Sequence, residues 1–333
     1  MKVLVTGAGG FLGRAVVAAA AHAEHQVVAM VRPVSTGRGG FPAGVVEIAG
    51  DLRQRGSWGE AIGDVDAVVH CAAAFGDLPS QLAGTVLATE NLLAALPAAL
   101  RRIVHVSSLS VYDFDAPRLG GVLDEATPLE AAPLRRDAYT QTKLIQEKLV
   151  RDHAARAGTD LVVVRPGAIY GPGKDWDAGT GLKVGRLDLI FAPLAKIRLI
   201  HVDNCADAIV AALAAPLDGP LTVNLIDPEQ PSHWRYHALA KRAGVPTGVA
   251  IPVPYIFVLA LGGAARLASK LLFRGRARLP ELLDPPRQRV RWRPLRYPNV
   301  RAREALHWAP RLDLAQGVAT LAPDNRAIED AKR

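Results

Sequence analysis

Tyr139 and Lys143 stand four residues apart in Asp137-Ala-Tyr-Thr-Gln-Thr-Lys143, which on a helix puts both side chains on one face. An ammonium beside a phenol favours the phenolate and brings its pKa down from about 10. Such a group can hand a proton to a carbonyl oxygen as the carbonyl is reduced. The Tyr-x-x-x-Lys spacing alone is common. It gains weight from Ser107-Ser-Leu-Ser-Val-Tyr112, whose hydroxyls follow the apolar run Ile103 to Val106, and from the glycines that open the chain.

That opening reads Met1-Lys-Val-Leu-Val-Thr-Gly-Ala-Gly-Gly-Phe-Leu-Gly13. Lys2 to Val5 is a buried-strand pattern, and the alanine-rich run from Arg14 is a helix start. Strand, glycine turn and helix together are the context of dinucleotide binding. Glycines allow a sharp turn and a close approach to a pyrophosphate, and the helix N-terminus presents N–H groups and partial positive charge to it. Gly7, Gly10, Phe11, Leu12 and Gly13 are therefore candidate cofactor contacts; an ordinary glycine turn is the plainer alternative.

A second strand, Gln26 to Val31, ends in Arg32, with Arg38 close behind. NAD-binding folds carry an acid about 20 residues past the glycines, on the ribose 2′-hydroxyl. A guanidinium in that slot can grip a 2′-phosphate, so NADP(H) is expected over NAD(H). A third strand over Val45 to Ile48 leads to Asp51 and Leu52. The Asp51 carboxylate can accept from the adenine amino group, or cap a helix starting at Ser57. The fourth strand, Ala67 to His70, runs into Cys71-Ala72-Ala73-Ala74, small residues that suit a cofactor passing the strand's C-terminal end.

The elements that must position these residues alternate strand and helix. A helix over Leu82 to Leu96 precedes the strand ending at Val106, and the Tyr139 helix runs through Leu149. This order predicts an α/β chain with a doubly wound, right-handed parallel sheet of Rossmann type. The predicted division is a nucleotide-binding domain over 1–165 with about 200–228, and a smaller substrate-binding region over 166–199 and 229–333.

The chain is 333 residues long and half hydrophobic, sufficient for a large core. Its two cysteines, Cys71 and Cys205, form neither a disulfide framework nor a metal set. The strand at residue 2 leaves no room for a signal peptide, so a cytoplasmic location is the default expectation. The net charge is +8, with arginines crowded after residue 265. No helix-turn-helix, zinc or aromatic RNA-binding signature accompanies them, so no nucleic-acid partner is expected.

With these motifs assembled, the sequence resembles the extended short-chain dehydrogenase/reductases over nearly its whole length. The resemblance rests on Thr6-Gly-Ala-Gly-Gly-Phe-Leu-Gly13, His70-Cys-Ala-Ala73, Val106-Ser-Ser-Leu-Ser-Val-Tyr112, Tyr139-Thr-Gln-Thr-Lys143 and Arg165-Pro-Gly-Ala-Ile-Tyr-Gly-Pro-Gly173. His201-Val-Asp-Asn204 and the region from Tyr297 to Trp308 extend it. It implies that Tyr139 is the acid/base and Lys143 holds the ribose and tunes Tyr139. It also makes Ser108, rather than Ser107, the serine that orients the substrate oxygen. Pro166 and its neighbours, Ile169 among them, would lie along the nicotinamide. A homodimer through the helices from Leu82 and Tyr139 is a further implication. The family's usual asparagine falls here at Thr85, and a usual glycine at Ala88.

Within the family, the short span from Gly173 to His201 lacks the Gly-Asp-Gly element of nucleotide-sugar enzymes. The chain therefore looks more like the branch of 3β-hydroxysteroid dehydrogenases, dihydroflavonol-type reductases and reductases of long-chain β-keto acids. That implies a small-molecule apolar ketone or alcohol as substrate. A nucleotide-sugar 4-epimerase or dehydratase with bound NAD, and a non-catalytic NADP sensor, are the alternatives. Residues 251–278 read as a lid over the substrate, a helix on a membrane surface, or a core helix; the uncharged part is shorter than the roughly 20 residues of a bilayer span. Arg287, Arg289, Arg291 and Arg293 alternate as on a strand with one basic face. Tyr170 and Trp176 are candidate pocket walls.

Overall fold

The computed structural model describes residues 1–37, 40–56, 58–174, 181–273 and 285–322. The strands are β1 (Lys2–Thr6), β2 (Gln26–Val31), β3 (Val46–Ala49), β4 (Ala67–His70), β5 (Arg102–Val106), β6 (Asp160–Pro166), β7 (Ala168–Tyr170), β8 (Gly181–Val184), β9 (Leu187–Phe191), β10 (Leu199–His201), β11 (Leu221–Leu225) and β12 (Val249–Val253). The helices are α1 (Phe11–His22), α2 (Trp58–Ala61), α3 (Leu78–Gln81), α4 (Ala88–Ala95), α5 (Ala138–Ala157), α6 (Val202–Ala211), α7 (His233–Arg242), α8 (Tyr255–Phe273), α9 (Pro285–Trp292), α10 (Val300–Ala305) and α11 (Leu314–Ala319).

Seven strands form one parallel sheet in the order β11-β6-β5-β4-β1-β2-β3. Helices cover both faces, so the strands are apolar on both sides. Val3 and Val5 of β1 pack with Val16 and Val17 of α1 and with Ile209 of α6. Leu4, between them, packs on the opposite side with Leu92 of α4 and Val150 of α5. Each such Val or Leu, withdrawn from water, contributes roughly 1.5–3 kcal/mol. The α/β, Rossmann-type doubly wound expectation is what the chain adopts.

The strand order reverses between β1 and β4, whose ends are paired at Thr6 and His70. Chains leave such neighbours toward opposite faces, which opens a crevice at their carboxyl ends. Both the glycine turn and Cys71-Ala72 are delivered there. Beside it, α5 starts at an N-cap, Asp137, whose carboxylate accepts from the Thr140 N–H at 2.8 Å. That cap fixes Tyr139 in the first turn.

Two expectations are corrected. The helix over Leu82 to Leu96 is interrupted: Leu82–Leu87 is a π-helical stretch between α3 and α4. Arg287 to Arg293 is not a strand. Pro285 and Pro286 open helix α9, where a missing N–H costs nothing. Gln288 and Trp292, one turn apart, are its fully buried pair. The arginines of this segment do not form an open basic strip: Arg293, just past the helix, binds Asp115 and the Pro117 carbonyl, and Arg289 reaches Asp115.

Outside the large sheet, β12, β9 and β8 form a three-stranded sheet, with β9 parallel to β12 and antiparallel to β8.

Candidate active site

A cleft of about 890 Å³ lies along the carboxyl ends of β1, β2, β4 and β5. Its floor is the glycine turn, with Gly7, Gly10, Phe11, Leu12 and Gly13 all on its wall. Gly7 has φ +68°, and a Cβ there would stand 2.9 Å from the Ala72 backbone nitrogen. A Cβ on Gly13 would stand 2.1 Å from the Gly7 carbonyl oxygen. Only glycine lets β1, β4 and the start of α1 approach this closely. The cradle those absent side chains leave fits a dinucleotide pyrophosphate against the N-terminus of α1.

At one end of the cleft stand Arg32, Asp51 and Leu52. Arg32 is exposed at the end of β2. Asp51 is held below the usual carboxylate value, first by its hydrogen bonds from Arg53, against the opposing effect of burial, and more weakly by the charge of Arg32. Its carboxylate is engaged by the Arg53 guanidinium at 2.6 Å. Helix α2 begins at Trp58, and Asp51 Oδ1 accepts from the Arg53 N–H at 3.0 Å; Arg38 and Ser57 lie outside the described residues. Ala72 and Ala73 line the middle of the cleft.

At the other end Ser108, Tyr139, Lys143, Pro166 and Ile169 share the wall. Lys143 is buried, and its Nζ donates to the Val106 carbonyl and to Gln146 Oε1, both at 2.8 Å. An ammonium has three donors, so one N–H remains for a group in the cleft. Burial brings Lys143 down to about 8, with Cys71 and Glu147 opposing the shift. Gln146 is itself tied to Ala72 and Thr89, and His70 joins Thr89 to Thr6. Burial keeps His70 neutral, at about 3.

The Tyr139 phenol does not follow the expectation from the helix spacing. Burial raises its pKa, a hydrogen bond with Ser108 pulls the other way, and Asp137 raises it further. The Lys143 ammonium is turned to Val106 and Gln146 instead. The two serines are sorted by the structure. Ser107 is buried and donates to Glu147 Oε2 at 2.6 Å, while Ser108 is half-exposed in the cleft, its Oγ accepting from Ser110 N–H. Thr85, in place of an asparagine, accepts from the Ala74 N–H at 2.9 Å and so anchors the segment after β4.

Several residues of the cleft were not singled out by the sequence. Phe75 stacks on Tyr139, with ring centroids 5.5 Å apart. Lys174 sits 5.1 Å over the Phe11 ring, and burial lowers its pKa. Arg53 stands beside Asp51. Only Lys174 had a signal, its place directly after Gly171-Pro-Gly173. Tyr170, expected as a possible wall, is instead a fully buried core residue packed edge-on against His201; Trp176 lies outside the described residues.

A crevice at the reversal of a parallel sheet, floored by a glycine turn and walled by a tyrosine and lysine on one helix, defines a Rossmann-type dinucleotide-dependent enzyme. The chain belongs to the NAD dependent epimerase/dehydratase family, whose model matches residues 3–225. It is 33% identical over 233 residues to 2-alkyl-3-oxoalkanoate reductase of Stenotrophomonas maltophilia, covering 66% of this chain and 67% of that one. It is 32% identical to 3-diazoavenalumate denitrifying reductase of a Streptomyces species over 76% of this chain and 84% of the relative. Dihydroflavonol 4-reductase of Zea mays is 29% identical over 62% of this chain and 64% of its own. Among solved structures, a short-chain dehydrogenase/reductase superfamily protein of Agrobacterium tumefaciens with bound NAD superposes with a TM-score of 0.73 over the whole of both chains, at 21% identity. The chain is thus an NAD(P)-dependent oxidoreductase of the extended short-chain type, with reductases of keto groups among its relatives.

Proposed function

We propose that this protein is an NADP(H)-dependent oxidoreductase that interconverts a ketone and a secondary alcohol on an apolar small molecule. One observation carries the reading: Ser108, Tyr139 and Lys143 line the same cleft as the glycine turn. Bound in that cleft, the reduced nicotinamide would supply hydride to the carbonyl carbon. Tyr139 gives its proton to the carbonyl oxygen, and Ser108 orients that oxygen by hydrogen bonding. Lys143 uses its remaining N–H on the ribose, and Pro166 and Ile169 line the nicotinamide end. The apolar flank at this end is Phe75, exposed and stacked on Tyr139.

The preference for NADP(H) is supported by Arg32 and Arg53 at the far end of the cleft, where no acid ends β2. A guanidinium pair suits a 2′-phosphate and an acid would repel it. The division of labour follows the chain: 1–165 with about 200–228 binds the nucleotide, and 166–199 with 229–333 supplies the substrate side. The exposed Leu82, Leu87 and Ile145, along the α3 to α5 face, support a homodimer through that face.

Thermal shift with NADPH, NADH and UDP-sugars tests the reading. NADPH-dominant stabilisation is expected. Stabilisation led by a UDP-sugar would replace it with a nucleotide-sugar epimerase, and NADPH binding with no ketone reduced across a broad screen would leave a sensor.

A further inference from the structure

Helix α8, Tyr255–Phe273, is the one helix among the described residues long and apolar enough, by length and composition, to cross a membrane. It does not stand free as a span would. Val258, Gly262 and Ser269 are buried along one side, and Val258 packs with Phe191 and Trp292. A Cβ on Gly262 would lie 2.4 Å from Gln288 Oε1 of α9. That side is docked on the protein.

The other side is the unusual one. At 100° per residue, the exposed positions from Ile256 to Leu272 that carry no charge fill about half the circumference. Their large members, Ile256, Phe257, Leu261, Leu267, Leu271 and Leu272, are each 56% to 74% exposed. A contiguous apolar surface of this kind marks an interaction site. Arg266 and Lys270, both exposed, line one edge of the arc, and no Asp or Glu occurs between Tyr255 and Pro280. An apolar face with a purely cationic border complements a surface that is apolar inside and anionic at its rim. Beside the helix, the register of β8, β9 and β12 puts Leu182, Leu187, Val249 and Ile251 on the sheet face whose far end packs against Val258; these four are exposed as well.

We propose that the outer arc of α8 docks this enzyme on the surface of an anionic lipid bilayer. The helix lies in the interface with its leucines in the acyl boundary and Arg266 and Lys270 at the headgroups, while its inner side keeps its contacts with β9 and α9. This docking is independent of the cofactor and substrate assignments above, and it can hold or fail without them.

The test is flotation of the full chain with vesicles of phosphatidylcholine alone and of phosphatidylcholine mixed with phosphatidylglycerol, at low and high salt, beside sizing of the protein in solution. Co-flotation with the mixed vesicles that weakens with salt is expected. Leu267→Glu with Leu271→Glu should cut it at least about tenfold, and Arg266→Ser with Lys270→Ser about fivefold per charge. The serine pair changes only exposed positions, so it reads the headgroup contact even if the glutamate pair perturbs folding. Wild-type protein that stays in solution with both vesicle types overturns the proposal, as does binding unchanged by either variant. So does a wild-type dimer that the glutamate pair splits, which would make this arc an interface between two copies.

Discussion

The ring of Phe75 lies flat on that of Tyr139, with centroids 5.5 Å apart and planes 10° from parallel. Phe75 is itself 72% exposed, so this phenyl is the apolar cover of the phenol on the open side of the cleft. Cover of this kind disfavours the phenolate, in keeping with burial as the main cause of the raised Tyr139 pKa. Phe75→Ala should admit water and move the phenol's titration down toward the ordinary tyrosine value. It should also cost up to about tenfold in kcat/KM on an apolar ketone. Phenolate difference absorbance against a Tyr139→Phe control measures the first effect. A midpoint that does not fall contradicts it.

Arg32 ends β2 where an NAD-specific chain would carry an acid. Arg32→Asp is expected to weaken NADPH about a hundredfold, since two charge-assisted hydrogen bonds are replaced by repulsion. NADH should change only a few-fold. Calorimetric titration with both nucleotides decides, and equal losses would remove the 2′-phosphate assignment.

Lys143 carries a pH signature in stability. Burial sets its pKa at about 8, against 10.5 for an unhindered lysine. The folded state gives up the proton more readily than the unfolded chain. The benefit is therefore complete above 10.5 and is lost as pH falls to about 8. Wild type should gain about 3 kcal/mol over Lys143→Met across that window. Denaturant melts of both proteins through the window check this; parallel curves contradict a desolvated ammonium.

Glu147 is buried among Ser107, Arg151 and Arg165. Burial alone would raise its pKa, yet the hydrogen bonds and charge of Arg165, helped by Ser107 and Arg151, hold it below the usual value. Its contribution to stability is present above the ordinary carboxylate range and is lost as pH falls through the folded value. Glu147→Ala leaves Arg165 without its carboxylate partner and should cost about 3–5 kcal/mol, read as a lower urea midpoint at neutral pH.

Much of this architecture is legible in the chain because its signals are local. Buried strands such as Gln26–Val31 and Ala67–His70 read as unbroken apolar runs, and Gly7, Gly10 and Gly13 announce a turn that only a tight backbone approach requires. Other features depend on contacts that spacing does not encode. The alternating arginines near 290 imitate a strand, while Pro285 and the burial of Gln288 and Trp292 make a helix. The π-helical stretch at Leu82–Leu87 adds a residue to a turn without altering the apolar pattern. Phe75 and Arg53 reach the cleft only because loops after β4 and β3 fold over it. The direction of the Tyr139 shift was hidden for the same reason: Lys143 finds Val106 and Gln146, residues whose proximity belongs to the tertiary structure.

The proposed role of Tyr139 is to deliver the proton that completes reduction of a ketone by NADPH. Its most direct test is the rate of NADPH consumption by Tyr139→Phe on a ketone that wild type reduces, with NADPH affinity measured on both proteins. A loss of about 100- to 10,000-fold in rate with nucleotide affinity nearly unchanged is expected. A variant that consumes NADPH at the wild-type rate would contradict it.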